Sequence, residues 1–235
     1  MSSYSAISRH ILIIALAAVM LAVPAAAVVN PLEFGDEDSG WLVAVNEDWD
    51  ISVVVDDLSE DAVFIQIVKR FVGEPDEFGI MDAMFLEFIK DAEDAVGTII
   101  IRDEFITNDT SENWIDYHME LAVAEFDPQA GFSADSDPWG DQFATVVFSG
   151  TEGYNGLHHK LDFYDGLVPT DPEDQDDFRP GYGTEDFNYI AIVADPELDI
   201  GQQIILKQWP TIPEPATLSL LLLGGLAMLR RRQSG

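Results

Sequence analysis

The residues able to do chemistry are narrow in kind and heavily weighted to one class. The 235-residue chain has no cysteine, and no serine sits in a G-x-S-x-G elbow. Thiol nucleophiles and the hydrolase elbow are therefore excluded. His118 stands between Asp116 and Glu120 in WIDYHMELAV. On a strand those three side chains share one face, which is a donor set for a metal and equally the pattern of a solvated strand face. His158 and His159 are adjacent, so on a strand they point to opposite faces and serve no common site without a bulge. Acid pairs suited to glycoside hydrolysis are guaranteed by chance among 44 acidic residues, so their presence says nothing. The reading this leaves is non-enzymatic, with no catalytic residue assigned.

Calcium is the cofactor for which the sequence makes provision. Hard oxygen donors cluster in three places: Gly35-Asp36-Glu37-Asp38-Ser39, Asp135-Ser136-Asp137 with Asp141, and the stretch 171–177. The last holds Asp171, Glu173, Asp174, Asp176 and Asp177, the expected Ca²⁺ ligands, since that ion takes six to eight oxygens. None of the three follows D-x-[DN]-x-[DN]-G, and solvated acidic loops are the alternative. Asn108-Asp109-Thr110 has the form of a glycosylation sequon but reads better as turn chemistry.

Those side chains need elements to hold them, and the apolar pattern supplies strands. Ile115, Tyr117, Met119, Leu121 and Val123 alternate with Trp114, Asp116, His118, Glu120 and Ala122, which predicts a strand with the first set in the core and the acids and His118 outside. Thr98 to Thr107 is β-branched and aromatic; with the turn residues 108–113 it is expected to form a hairpin with the strand at 114–123. Val63 to Val72, Trp41 to Val45 paired with Ile51 to Val55, Phe143 to Phe148, Leu157 to Tyr164, Tyr189 to Val193 and Gln203 to Gln208 complete the expected strands. Residues 80–90 fit both periods; their neighbours and aromatics favour a strand, with a helix as the alternative. Strands at short intervals without a long amphipathic helix predict an all-β, antiparallel β-sandwich, Ig-like or jelly-roll-like, over residues 28–210.

Net charge is −33, and residues 28–212 hold 43 acidic against 7 basic side chains. Such a surface repels nucleic acid and attracts cations. Nucleic acid is excluded as a partner.

Both ends read as addresses rather than fold. Arg9, an apolar run from Ile11 to Val23, Pro24 and Ala25-Ala26-Ala27 make a signal peptide over 1–27, with Ala25 and Ala27 as the small residues of a signal peptidase site. At the other end, Pro213-Glu214-Pro215 precedes an uncharged run from Ala216 to Leu229, then Arg230-Arg231-Arg232. As a helix that run spans about 21 Å, a short transmembrane helix whose arginines hold its end in the cytoplasm.

A Pro-Glu-Pro triplet, a short apolar helix and an arginine cluster, in that order, resemble the PEP-CTERM sorting signal of exosortase substrates in bacteria. The resemblance spans 211–235. It implies that Pro213, Glu214, Pro215 and the three arginines form the sorting motif, and that an exosortase, a membrane-embedded protease, cuts near the triplet. The protein would be exported, transiently anchored in the inner membrane, and then held at the cell surface or in the extracellular matrix. The stretch IRDEFITNDTSENWIDYHMELAV also resembles a segment recurring in the cargo domains of such proteins, without an activity attached to it. Together these point to a structural or adhesive surface protein, with extracellular polysaccharide as an expected partner. A carbohydrate- or calcium-binding module is the alternative, and a secreted hydrolase a third reading.

Overall fold

Alternation of apolar and polar residues governs the architecture, because each strand buries one face and wets the other. A computed structural model describes residues 27–75, 81–122, 129–133, 135–136, 138, 142–170, 178–180 and 189–212. Residues 1–26 of the expected signal peptide, the tail from 213, the loop 171–177, Asp137, Asp141 and Val123 lie outside the described residues, while Ala27, the last residue of that peptide, begins the first strand. Among the described residues, no helix is long and apolar enough to cross a membrane.

Strands β1 (Ala27–Phe34), β2 (Glu37–Asn46), β5 (Met84–Lys90), β7 (Asp116–Leu121), β9 (Phe143–Ser149), β10 (Lys160–Gly166) and β12 (Gln203–Thr211) form one sheet. Its order is β1-β2-β5-β12-β7-β10-β9. Strands β3 (Asp50–Leu58), β4 (Ala62–Gly73), β6 (Thr98–Thr110), β8 (Ala130–Phe132) and β11 (Ile190–Ala194) form the other, in the order β3-β4-β6-β11-β8. The sheets share one hydrophobic core. Leu86, Phe88, Tyr117, Met119, Leu161 and Leu206 face it from the seven-stranded layer, and Val63, Ile65, Ile99, Ile101, Ile190 and Ile192 from the five-stranded one. At one end Phe71, Trp114, Tyr117, Phe143, Phe163 and Phe178 pack ring against ring, with centroids 4.8–6.4 Å apart.

The all-β class and the strand at 84–90 agree with expectation, but three connections do not. The hairpin expected around 108–113 is a crossing between layers: β6 pairs with β4 and β11, while β7 pairs with β10 and β12. Asn108 pins the crossing. Its buried amide donates to Glu112 O at 3.0 Å and Val168 O at 3.1 Å, while its carbonyl accepts from the Thr110 hydroxyl at 2.7 Å. Asn108 and Thr110 thus lie in the end of β6 rather than in a free turn. Likewise β2 and β3, expected to pair, belong to different sheets. Both misjudged pairs carry their apolar face inward, so placing them in opposite layers buries both faces against each other. Finally, β4 and β6 run parallel, so the layer is mixed rather than wholly antiparallel. The chain leaves β4, crosses to β5 in the other sheet and returns, two reversals that restore its direction.

Trp114, expected on the wet face, is fully buried, and Ile115, expected in the core, is only half-buried. Both precede the start of β7 at Asp116, within the crossing, where strand alternation does not apply. The β1 and β8 strands were not anticipated.

Candidate functional site

On β7 alternation turns Tyr117, Met119 and Leu121 into the core and Asp116, His118 and Glu120 outward, as expected. The pairing register then decides what His118 meets. It lies opposite Asp162 on β10 and opposite Trp209 on β12. Its Nδ1 is 2.7 Å from Asp162 Oδ1, and its Nε2 is 2.9 Å from the Thr211 hydroxyl. Ser149 on β9 donates to the second Asp162 oxygen at 3.3 Å. The imidazole stacks on the Trp209 indole, centroids 5.2 Å apart at 26°, and meets the Tyr164 ring edgewise at 5.8 Å.

Lys207 extends the cluster along β12, with its ammonium 4.2 Å from the Trp209 ring centroid, a distance at which the ring quadrupole attracts a cation. One strand further, Phe85 lies opposite Lys207 and stacks on Trp49 of the β2–β3 connection, centroids 5.9 Å apart. These rings run in a band across the outer face of the larger sheet: Trp49, Phe85, Trp209, His118, Tyr164. Beside its Trp49 end is a recess of about 310 Å³ lined by Ala27, Ala44, Phe85, Glu87, Ala122 and Ile205, among others.

Acids border the band. Burial pushes the Asp116 carboxyl above its ordinary value; the His118 imidazole counters this, and Asp165 and Asp162 add to it. Burial and the Asp162 charge push the Tyr164 phenol up. Glu120 pairs with Lys160 at 3.2 Å. The order carboxylate–imidazole–hydroxyl in Asp162, His118 and Thr211 is that of a nucleophile relay. Around Thr211, however, the backbone is drawn into the ladder with β7: its carbonyl accepts from Ile115 N at 2.9 Å, and Thr211 lies opposite Asp116.

His118 was legible as an outward residue between two acids, but its partners were not, because Asp162, Trp209 and Thr211 come from strands remote in sequence. Asp116 and Glu120 do not join it around a common point. Among the described residues, no group of three or more histidines, aspartates or glutamates is placed to hold a metal. His158 and His159 stay apart from the cluster, with His159 Nδ1 3.0 Å from Glu152. The expected calcium loop, Asp171, Glu173, Asp174, Asp176 and Asp177, is outside the described residues. The stretch 35–39 is a turn at Gly35-Asp36 between β1 and β2 followed by the start of β2, where Asp38 accepts from Gly40 N at 2.8 Å and Ser39 from Trp41 N at 3.2 Å. At 135–136, the Ser136 hydroxyl accepts from Ala191 N at 2.9 Å.

Comparison with known proteins bears on the tail. Residues 211–233 match the family model described as the PEP-CTERM protein-sorting motif. The chain thus carries a sorting signal associated with exosortase processing, which implies export and membrane-associated processing. No match was found among curated proteins or among solved structures.

Proposed function

We propose that this is an exported, exosortase-processed component of the cell surface or extracellular matrix, with a structural and adhesive role rather than a catalytic one. Its adhesive contact is the ring band on the outer face of the seven-stranded sheet, and its ligand is extracellular polysaccharide. The observation that carries this reading is the alignment of Phe85, Trp209, His118 and Tyr164 across the adjoining strands β5, β12, β7 and β10, with Trp49 stacked on Phe85 at one end. A sugar ring has an apolar C–H face that packs on an aromatic face, and hydroxyls that bond to flanking polar groups. Asp162, Asp116, Thr211 and Lys207 supply those groups along the band. An open face suits a polymer lying across it.

The test is retention of the domain on polysaccharide from the producing cells. Trp209→Ala should weaken binding about tenfold, as expected for a ring contact of about 1.4 kcal/mol, and His118→Ala comparably. Undiminished binding by both variants would remove this face from consideration. Processing is tested separately by the intact mass of the native product, expected to lack residues 1–27 and the apolar run after Pro215. Retention of that run would leave a plain membrane anchor in place of an exosortase substrate.

A further inference from the structure

Deep between the sheets, where almost every neighbour is apolar, lie a lysine, a glutamate and a glutamine. Lys69 on β4, Glu104 on β6 and Gln208 on β12 are 1%, 0% and 0% exposed. Lys69 Nζ is 2.5 Å from Glu104 Oε1 and in contact with the carboxamide oxygen of Gln208. The Gln208 amide nitrogen donates to both Glu104 oxygens, at 2.9 and 3.2 Å. The Tyr117 and Phe71 rings stand 5.3 and 5.8 Å from Nζ and wall the triad off from water. Burial, then the Glu104 charge, hold the Tyr117 phenol well above its ordinary value, so that wall stays neutral.

As a device for stability alone the arrangement is poor, because desolvating two charges offsets most of their attraction and an apolar trio would serve as well. As a reaction centre it is complete. We propose that Lys69 and Gln208 condense into an intramolecular isopeptide bond, with Glu104 as the proton carrier, tying β4 of one sheet to β12 of the other.

Burial pushes the Lys69 amine down to about 8, against the opposing pull of Glu104. Glu104 takes a proton across the 2.5 Å contact, leaving a neutral amine and a carboxylic acid, a pairing that an apolar interior favours over two charges. The Nζ lone pair forms a bond to Gln208 Cδ, and the carbonyl electrons move onto Oε1. Glu104 gives its proton to the Gln208 nitrogen and receives one from Nζ. The carbonyl re-forms, the Cδ–Nε2 bond breaks, and ammonia leaves. One C–N bond is made and one is broken, with no change of oxidation state and no co-reactant. The same carboxylate touches the attacking and the departing nitrogen, the geometry that general acid–base transfer requires. Holding the three groups in a folded core supplies the effective concentration, and exclusion of water keeps the amide from being hydrolysed instead.

Mass spectrometry of the folded protein decides the matter. The intact mass should fall about 17 Da, one ammonia, below the sum of the residues present, because aminolysis of the amide expels the leaving group. A proteolytic digest should contain a branched peptide joining the Lys69 and Gln208 segments, a readout independent of how the termini are processed. Glu104→Gln and Gln208→Met keep the side-chain volume, and both should restore the full mass and remove the branched peptide. A wild-type protein that is folded by near-ultraviolet circular dichroism yet keeps its full mass after days at pH 8 overturns the proposal. A mass deficit without the branched peptide does so too. Cross-linking that persists in Glu104→Gln overturns the role given to Glu104. The wild-type measurement stands without any variant, so a variant that fails to fold does not blunt it.

Discussion

Glu87 is the residue whose surroundings most directly set a pH dependence. It projects from β5 beside Ala44 and Ile205, one carboxylate oxygen is buried without a protein partner, and burial pushes its carboxyl above the ordinary value. A carboxyl raised on folding favours its protonated form in the native state. Its destabilising effect is therefore fully present above the folded pKa and is relieved as pH falls through that value toward the unfolded one. Glu87→Gln should melt higher than wild type near pH 7, and the gap should close as pH falls toward 4. A constant gap from pH 4 to 8 would show that the carboxyl is not the cause. At this scale the sequence was informative in uneven ways. Lys69 follows Val63, Ile65 and Ile67 at every second position and precedes Phe71, so its inward direction was readable. Glu104 was not readable, because an irregularity where Ile65–Gln66 meets Ile101–Asp103 shifts the inward set of β6 by one residue. Period-two counting from Ile99 and Ile101 points to Asp103 instead.

Strands as units were largely legible, and their partners largely were not. Alternation is local, so β4, β7, β9, β11 and β12 could be placed from their own residues, whereas β5, whose residues fit both periods, was placed by its aromatics and its strand neighbours. Pairing is non-local, and a tight loop between two strands with buried faces reads the same whether it turns within a sheet or arches to the facing one. β7 offers a clean check on alternation. Tyr117 is fully buried among rings, and Glu120, three residues on, is outward with Lys160. Tyr117→Ala should cost about 3–5 kcal/mol, as for a core phenylalanine. Glu120→Ala should cost under about 0.5 kcal/mol, as a surface pair does. Urea denaturation of both variants measures the difference, and equal losses would contradict the register of β7.

Across the whole molecule, 43 acids against 7 bases in residues 28–212 repel one another, and any salt screens that repulsion over about 8–10 Å. A calcium site would add a separate contribution, roughly 2.7 kcal/mol at a hundredfold excess over Kd. At matched ionic strength calcium should raise the melting temperature more than magnesium does, because Mg²⁺ needs a tighter octahedral shell. Substituting Asp174 and Asp176 by asparagine should remove the calcium-specific part. Equal shifts for both ions would leave the loops as solvated acids. The isopeptide bond belongs to the same account. Lys69 and Gln208 are 139 residues apart, and closing so long a loop restricts the unfolded chain by about 5 kcal/mol in the chain-entropy description of cross-links, in a protein without cysteine.

The place of β12 in its sheet has a consequence for synthesis. It is late in the chain and central in space, with β1-β2-β5 on one side and β7-β10-β9 on the other. Until residues 203–211 leave the export pore, β5 and β7 each present an open edge of unpaired backbone groups, the kind of surface that recruits stray strands. The sheet closes only when β12 arrives, and the sorting motif begins at its final residue, Thr211. Completion of the sheet and emergence of the sorting motif thus fall at nearly the same moment. A chain whose tail is caught by the membrane at that point would be held apart from its neighbours during the interval when its edges are bare.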